Sequence, residues 1–184
     1  MISLPNIPLT QASFPWFVVG GWAVDLFLDR QSREHADLDL GILRRDQLLL
    51  QQFLKGWKLT KTLAGSPLPW TTAEELLLPV HEIHAQQDTY GTVEILLSES
   101  EADSWVYRRD TRVRRDLSKA ILTAPSGVRF LAPEVVLLFK SKSPRPHDER
   151  DFASVLPSLS SEQRIWLREA LCLGNAQNKW LALL

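Results

Sequence analysis

Two glycines, Gly20 and Gly21, close a short apolar run, Phe17-Val18-Val19, and open a helical pattern, after which the chain returns as Asp37-Leu38-Asp39-Leu40. In a strand, alternation puts Asp37 and Asp39 on one face, with Cα atoms about 6.6 Å apart. Two carboxylates on one rigid face are a place for hard cations such as magnesium. Leu38 and Leu40 point the other way, into a core. The glycine turn supplies the complement, because a strand-to-helix turn without side chains lets backbone N–H groups approach an anion at a helix N-terminus.

The run GGWAVD followed by R-x-H-x-D-x-D, carrying Trp22, Asp25, Arg33 and His35 beside the glycines and aspartates, resembles the aminoglycoside and lincosamide nucleotidyltransferases of the polymerase-beta-like superfamily. The resemblance extends from about Phe17 to the last helix. It implies an α+β, polymerase-beta-like fold: a catalytic domain over residues 1–131, a mixed sheet with helices on one face, then a helical subdomain over residues 132–184. It also implies a metal-dependent enzyme that moves a nucleoside monophosphate from a nucleoside triphosphate, with ATP the expected one, to a hydroxyl of a small molecule. Pyrophosphate is released.

Composition agrees. The 184 residues, 45% hydrophobic and 23% charged, suit one domain with a sizeable core and a helical appendage. A net charge of −1 gives no global pull toward nucleic acid or membrane. The single cysteine, Cys172, excludes an intramolecular disulfide. No apolar run approaches the roughly 20 residues of a membrane span, and the N-terminus lacks the basic-then-apolar order of a signal peptide. A cytoplasmic protein is expected, with no membrane partner.

In chain order, residues 1–16 read as an irregular lead-in with Pro5, Pro8 and Pro15, and Phe17–Val19 as a buried strand. Trp22–Leu28 is helical. Asp25 on that helix is either a solvated acid or a partner of Arg33 or His35. Arg33 is a surface arginine or a phosphate ligand; His35, beside two carboxylates, is an orienting group or a catalytic one. Asp46–Trp57 has a helical apolar face, Trp57–Leu63 alternates as a strand, and Gly65–Pro69 is a turn. Trp70–Pro79 reads as a helix start at Thr71 or Thr72, or as a loop.

Val80–Gln87 and Thr92–Leu97 form a hairpin about Asp88-Thr89-Tyr90-Gly91. Glu94 faces away from Val93 and Ile95 and matches the apolar-acid-apolar setting in which the superfamily carries its third carboxylate; Glu82 competes for that role. His81-Glu82-Ile83-His84 has the wrong spacing for a zinc motif and its rings point to opposite faces. Ser104–Asp116 is rich in arginine, with Arg108 or Arg109 able to reach phosphates. Ile121–Leu131 is a second hairpin.

Pro133 and Glu134 open a helix running to about Lys142. In the superfamily a lysine on this helix commonly reaches the phosphates, which implies that role for Lys140. After a Ser143–Pro146 linker, Asp148–Leu156 is a short helix, and Ser160-x-x-Gln163 is a capping box ahead of another that stops by Gly174. His147 and Asp151 either cap or touch substrate.

The resemblance assigns Asp37, Asp39 and Glu94 to catalysis and to two Mg²⁺ ions, Gly20, Gly21, Arg33 and Lys140 to the nucleotide, and His35 and Asp25 to orienting roles behind them. Acids for a cationic acceptor would come from Glu74, Glu75, Glu99, Glu101 or Asp103. A non-catalytic module of toxin–antitoxin type and an RNA- or protein-modifying enzyme stay open as alternatives, as does oligomerisation.

Overall fold

A computed structural model describes Ile2 and residues 4–184; Met1 and Ser3 of the expected lead-in lie outside the described residues. The rest of the lead-in carries a 3-10 turn at Pro8–Gln11, with Leu9 and Phe14 buried. The glycine turn then does what its sequence dictates. β1 (Trp16–Val18) stops one residue short of the expected Val19, which caps α1 (Gly20–Leu28), and the helix starts at once with Gly20 at φ 65°. Asp29 closes it in a left-handed conformation.

β2 (Asp39–Leu43) begins at Asp39, so Asp37 lies in the segment before the strand rather than in it. The expected two-carboxylate strand is therefore corrected to one strand carboxylate and one on its approach. β1 gives way to α1 at Gly20, so no β1 residue is left for Asp37 to pair with, and its carbonyl accepts instead from the indole N–H of Trp22 (2.9 Å). Leu40 is buried, as alternation requires.

α2 (Gln47–Phe53) is shorter than the apolar pattern suggests, and Leu49 and Phe53 on it are exposed while Leu50 and Leu54 are buried. β3 (Lys58–Leu63) appears as expected, but Ser66–Pro69 is an edge strand, β4, instead of a turn. Its Pro67 and Pro69 remove N–H donors from that edge, which blunts it against further pairing.

No helix forms over Trp70–Pro79. The Glu74 carboxylate does accept from the Thr71 amide (3.1 Å) and hydroxyl (3.0 Å). The segment is instead held by Arg44, which donates to the carbonyls of Leu76 and Val80, and by Gln47, whose side chain pairs with the Leu76 backbone.

The hairpin is β5 (Glu82–Gln87) and β6 (Gly91–Glu101), the latter running on to pair with β7 (Ser104–Val106), which pairs with β8 (Arg114–Asp116). After the one-turn α3 (Leu117–Ala120), β9 (Ile121–Thr123) and β10 (Arg129–Leu131) form the second hairpin. The main sheet runs β4-β3-β5-β6-β2-β1-β10-β9, with β2–β6 and β1–β10 parallel and the other pairs antiparallel. It is a mixed sheet with helices, an α+β fold.

α4 (Pro133–Lys140), α5 (Pro146–Val155) and α6 (Ser161–Gly174) follow. The capping box is formed: Ser160 Oγ accepts from the Gln163 amide (3.2 Å), and Gln163 Oε1 accepts from the Ser160 amide (3.0 Å). α4 packs on α1 and α6, and α5 on α1. One hydrophobic cluster reaches from Ile7 through Phe17, Leu40 and Ile95 to Leu137, Leu171 and Trp180, so the helices share the sheet's core. Among the described residues no helix is long and apolar enough to cross a membrane.

Candidate active site

β2 and β6 are parallel neighbours, and their register sets Asp39 directly against Glu94. Val93, Ile95 and Leu97 are buried on one face of β6, so Glu94 is presented on the other, beside the Asp39 carboxylate. Glu82 on β5 lies opposite Leu96, one strand further from Asp39. Between the two competing glutamates, Glu94 is the one next to the aspartate.

The glycines admit the aspartate. A Cβ on Gly20 would stand 2.8 Å from Asp39 Oδ2, and one on Gly21 would stand 2.4 Å from His35 Nδ1 and 2.5 Å from an Arg33 terminal nitrogen. Gly20 thus serves twice, through its positive φ and through this close approach. Val19 offers α1 no side-chain cap and no acid lies in its first turn, so its leading N–H groups have no anionic partner of their own.

Asp39 Oδ1 is buried without a hydrogen-bond partner. Burial, then the charge of Asp37, pushes the Asp39 carboxyl up to about 6. Burial, then Asp39, Glu82 and Asp37, pushes Glu94 up to about 7. Two neighbouring acids that are both raised, one of them with a buried and unpartnered oxygen, are suited to positive charge. Among the described residues no three His, Cys, Asp or Glu side chains stand arranged to hold a metal ion. Magnesium takes a few carboxylates and fills its octahedron with phosphate oxygens and water, so the adjacent Asp39 and Glu94 carboxylates are the pair that could hold it. The residues fit the ion.

Behind the site, Asp25 is fully buried. Its Oδ2 meets His35 Nε2 at 2.5 Å, while its Oδ1 accepts from the Ser32 amide (2.9 Å) and hydroxyl (2.5 Å). Trp22 packs on the imidazole, ring centroids 4.7 Å apart. Of the two alternatives for Asp25, the structure has the partner of His35.

Arg33 and Lys140 are brought together, but on acids of α5. Arg33 forms a two-pronged pair with Asp151 (2.9 and 3.2 Å), and Lys140 meets Asp148 (2.5 Å) and Asp151 (3.0 Å). The Asp151 bond holds the Arg33 guanidinium above its ordinary pKa. Burial alone would raise Asp148, yet hydrogen bonds from Lys140 and Arg145 hold it down to about 2. Asp148 also caps α5 through the Arg145 amide (2.9 Å). Capping thus falls to Asp148, and Asp151 is a bridge between α1's flank and α4.

A cavity of about 500 Å³ opens over Gly20, Glu82, Glu94 and Asp148, with Arg108, Arg109, Lys140, Lys142 and Arg145 as its cations. Arg108 and Arg109 both lie over the Phe139 ring, at 5.5 and 5.4 Å. Sequence reasoning gave no site role to Lys142, just past α4, or to Arg145 in the following linker; their closeness in sequence to Lys140 was the available signal. The acids offered for a cationic acceptor are elsewhere. Glu74 is paired with Lys61, Glu99 with Arg44 and Glu101 with Arg114, and neither Glu75 nor Asp103 lines the cavity.

Comparison with known proteins decides the lineage. The family model for aminoglycoside-2″-adenylyltransferase matches residues 7–155. The chain belongs to this family. It is a nucleotidyltransferase, and its reaction moves a nucleotidyl group from a nucleoside triphosphate to a small-molecule hydroxyl. Among solved structures it is similar to ANT(2″)-Ia in complex with adenylyl-2″-tobramycin, at 13% identity and TM-score 0.60, over 91% of this chain and 92% of that one. A solution structure of ANT(2″)-Ia gives 17% identity and TM-score 0.59, over 92% and 88%. The lincomycin-bound lincosamide adenylyltransferase LnuA gives 19% identity and TM-score 0.50, over 77% and 85%. A comparison with curated protein sequences returns no match.

Proposed function

We propose that this family member transfers the adenylyl group of ATP to a hydroxyl of an aminoglycoside-type acceptor, with Asp37, Asp39 and Glu94 holding two Mg²⁺ ions. The observation that carries the reading is the juxtaposition of Asp39 and Glu94 across a parallel strand pair, with Asp39 Oδ1 buried and unpartnered against the Gly20 turn. When bound, the divalent ions offset charge on the entering and leaving oxygens at the α-phosphorus.

The rest is the work of the chain. Backbone N–H groups at Gly20 and Gly21 receive a phosphate, where helix dipole and missing side chains favour an anion. Lys140, Lys142 and Arg145 supply cations along the same cavity, and Arg33 stiffens that wall through Asp151. The acceptor oxygen forms its bond to the α-phosphorus as the bond to the bridging oxygen breaks, and pyrophosphate leaves. The acceptor proton passes to a Glu94 carboxylate oxygen, which lies beside Asp39 and lines the cavity. Asp25, His35 and Trp22 keep the segment before Asp37 in place.

The two-part division, residues 1–131 for nucleotide chemistry and 132–184 closing the cavity from the helical side, belongs to this proposal, as does a cytoplasmic setting that supplies ATP. The test is incubation with Mg²⁺, labelled ATP and a panel of aminoglycosides and lincosamides, alongside Asp37→Asn and Asp39→Asn. Acceptor-dependent pyrophosphate release that disappears in both variants is expected. Nucleotide binding without turnover on any acceptor would move the chain to the non-catalytic alternative.

A further inference from the structure

A second cavity, of about 570 Å³, lies between the loop over residues 107–113 and the C-terminal ends of α4 and α6. That is room enough for a small ligand. Its floor is apolar: Val113, Leu138, Ala170 and Leu171 are each at most 4% exposed. Its mouth is rich in donors and poor in acceptors. Asp110 is the one acid among the described lining residues, and Arg112 takes both of its oxygens (2.9 and 2.6 Å).

Once that pair cancels, Arg109 and Lys142 remain. Arg109 donates from Nη1 alone, and only to neutral groups, the Phe139 carbonyl (3.0 Å) and the Tyr107 hydroxyl (3.3 Å). A guanidinium has five N–H donors, so most of them stay open. Lys142, exposed just past α4, has no ion pair among the described residues. Asn175 turns its Oδ1 to the Gln177 amide (3.0 Å), which leaves its side-chain N–H groups open as well. Arg109 and Arg112 also close the two helices, through the carbonyls of Phe139 and Leu173. Capping accounts for the arginines. It accounts neither for the cavity beside them nor for Lys142.

The last turn of α4 stands between this cavity and the first. Phe139 and Lys140 line the first, Leu138 and Ser141 the second, and Arg109 and Lys142 line both. An anion seated in the second cavity therefore draws on two cations that the first offers a triphosphate.

We propose that the second cavity binds an oxyanion carried on a short apolar body, and that Arg109 and Lys142 make its binding and nucleotide binding mutually weakening. The apolar floor takes the body, and the two uncompensated cations take the head and repel an amine in its place. The coupling rests on the adenylyltransferase reading above; the cavity's own ligand does not.

The test is calorimetric titration of the full chain with octanoate. Octyl phosphate separates a phosphate head from a carboxylate, octylamine reverses the charge on the same body, and inorganic phosphate lacks the body. Ala170→Leu fills the floor and Asn175→Asp puts a negative charge at the mouth; circular dichroism checks that both fold, and Asn175 is exposed. Octanoate or octyl phosphate is expected to bind at least about tenfold more tightly than octylamine or inorganic phosphate. Asn175→Asp should weaken that anion about threefold to tenfold, the scale of one surface charge at close range, and Ala170→Leu by more. A saturating non-hydrolysable ATP analogue with Mg²⁺ should weaken the anion, and the anion should weaken the analogue by the same factor, as linkage requires. In Ala170→Leu the analogue alone should bind within about twofold of wild type. The proposal is overturned if neither octyl anion binds, if octylamine or phosphate binds as well, or if both variants bind the anion like wild type, which would place it in the first cavity. Independent binding of anion and analogue overturns the coupling. Failure of the analogue to bind wild type would count against the adenylyltransferase reading, and the coupling with it, whereas the octanoate titrations alone decide the cavity.

Discussion

At Gly21 there is no room for one carbon atom. A Cβ there would overlap His35 Nδ1 and Arg33, and moving either disturbs a buried pair with Asp25 or with Asp151. Gly20 is different, because its φ of 65° already disfavours any other residue and its added Cβ would meet only Asp39 Oδ2. Gly20→Ala is expected to cost about 1–2 kcal/mol in urea unfolding, the ordinary penalty for a left-handed non-glycine residue. Steady-state turnover should fall further than stability does if, as proposed, the displaced oxygen belongs to a metal-holding aspartate. A variant of unchanged turnover would show that the close approach is incidental. Asp25→Ala, which strands His35 and two Ser32 donors in a buried pocket, is expected to lose about 2–3 kcal/mol.

The residue types at the site were legible because each needs few alternatives. Paired glycines before a helix and D-x-D after it have little other use together. Side-chain engagement was not legible. Nothing in the spacing of Arg33 and Lys140 announces that both will end on Asp151, because that contact joins sequence positions 118 residues apart and depends on how α5 docks.

Elements were readable where local pattern and burial agree, as in α1, α4 and the capping box of α6. They were left open or misread where a long-range partner decides. Trp70–Pro79 reads as a helix start or a loop, and Arg44 and Gln47, bound to the Leu76 carbonyl, hold the loop; Ser66–Pro69 looks like a turn, yet it finds an edge of β3. The docking of α5 makes a prediction of its own. Asp148 has a folded pKa of about 2, below its ordinary carboxylate value, so its contribution is complete above about pH 4 and is lost as pH falls through 2. Trp180, stacked on Phe152 of α5 with ring centroids 4.3 Å apart, reports on the helix by fluorescence. Wild type should show acid loosening of α5 in that window. Asp148→Asn should be about 2 kcal/mol less stable at pH 7 and lack that acid step. Coincident acid curves for the two proteins would assign the step to another group.

The whole molecule carries a conflict between holding its acids and holding itself together. Burial and the neighbouring acids raise the cost of ionising Asp39 and Glu94, on a chain whose net charge is only −1. Such clusters weaken the folded state until a cation arrives, and sites built for function are often locally destabilising. Asp39→Asn removes one of those charges and keeps the side chain's shape. In EDTA at pH 8 it should therefore melt above wild type, by about 2–4 °C for each kcal/mol of repulsion relieved. Adding Mg²⁺ and a non-hydrolysable ATP analogue should reverse the order. A ligand at a hundred times its Kd stabilises by about 2.7 kcal/mol, and wild type alone keeps the carboxylate that binds it. Turnover of the variant should drop by at least about a hundredfold, since charge stabilisation at the reacting phosphorus is lost. Scanning fluorimetry in EDTA and in Mg²⁺–nucleotide decides the matter. Crossed melting orders would tie the cluster to cation binding, whereas a variant that melts lower in both conditions would mean that Asp39 is held by contacts within the fold rather than for an ion.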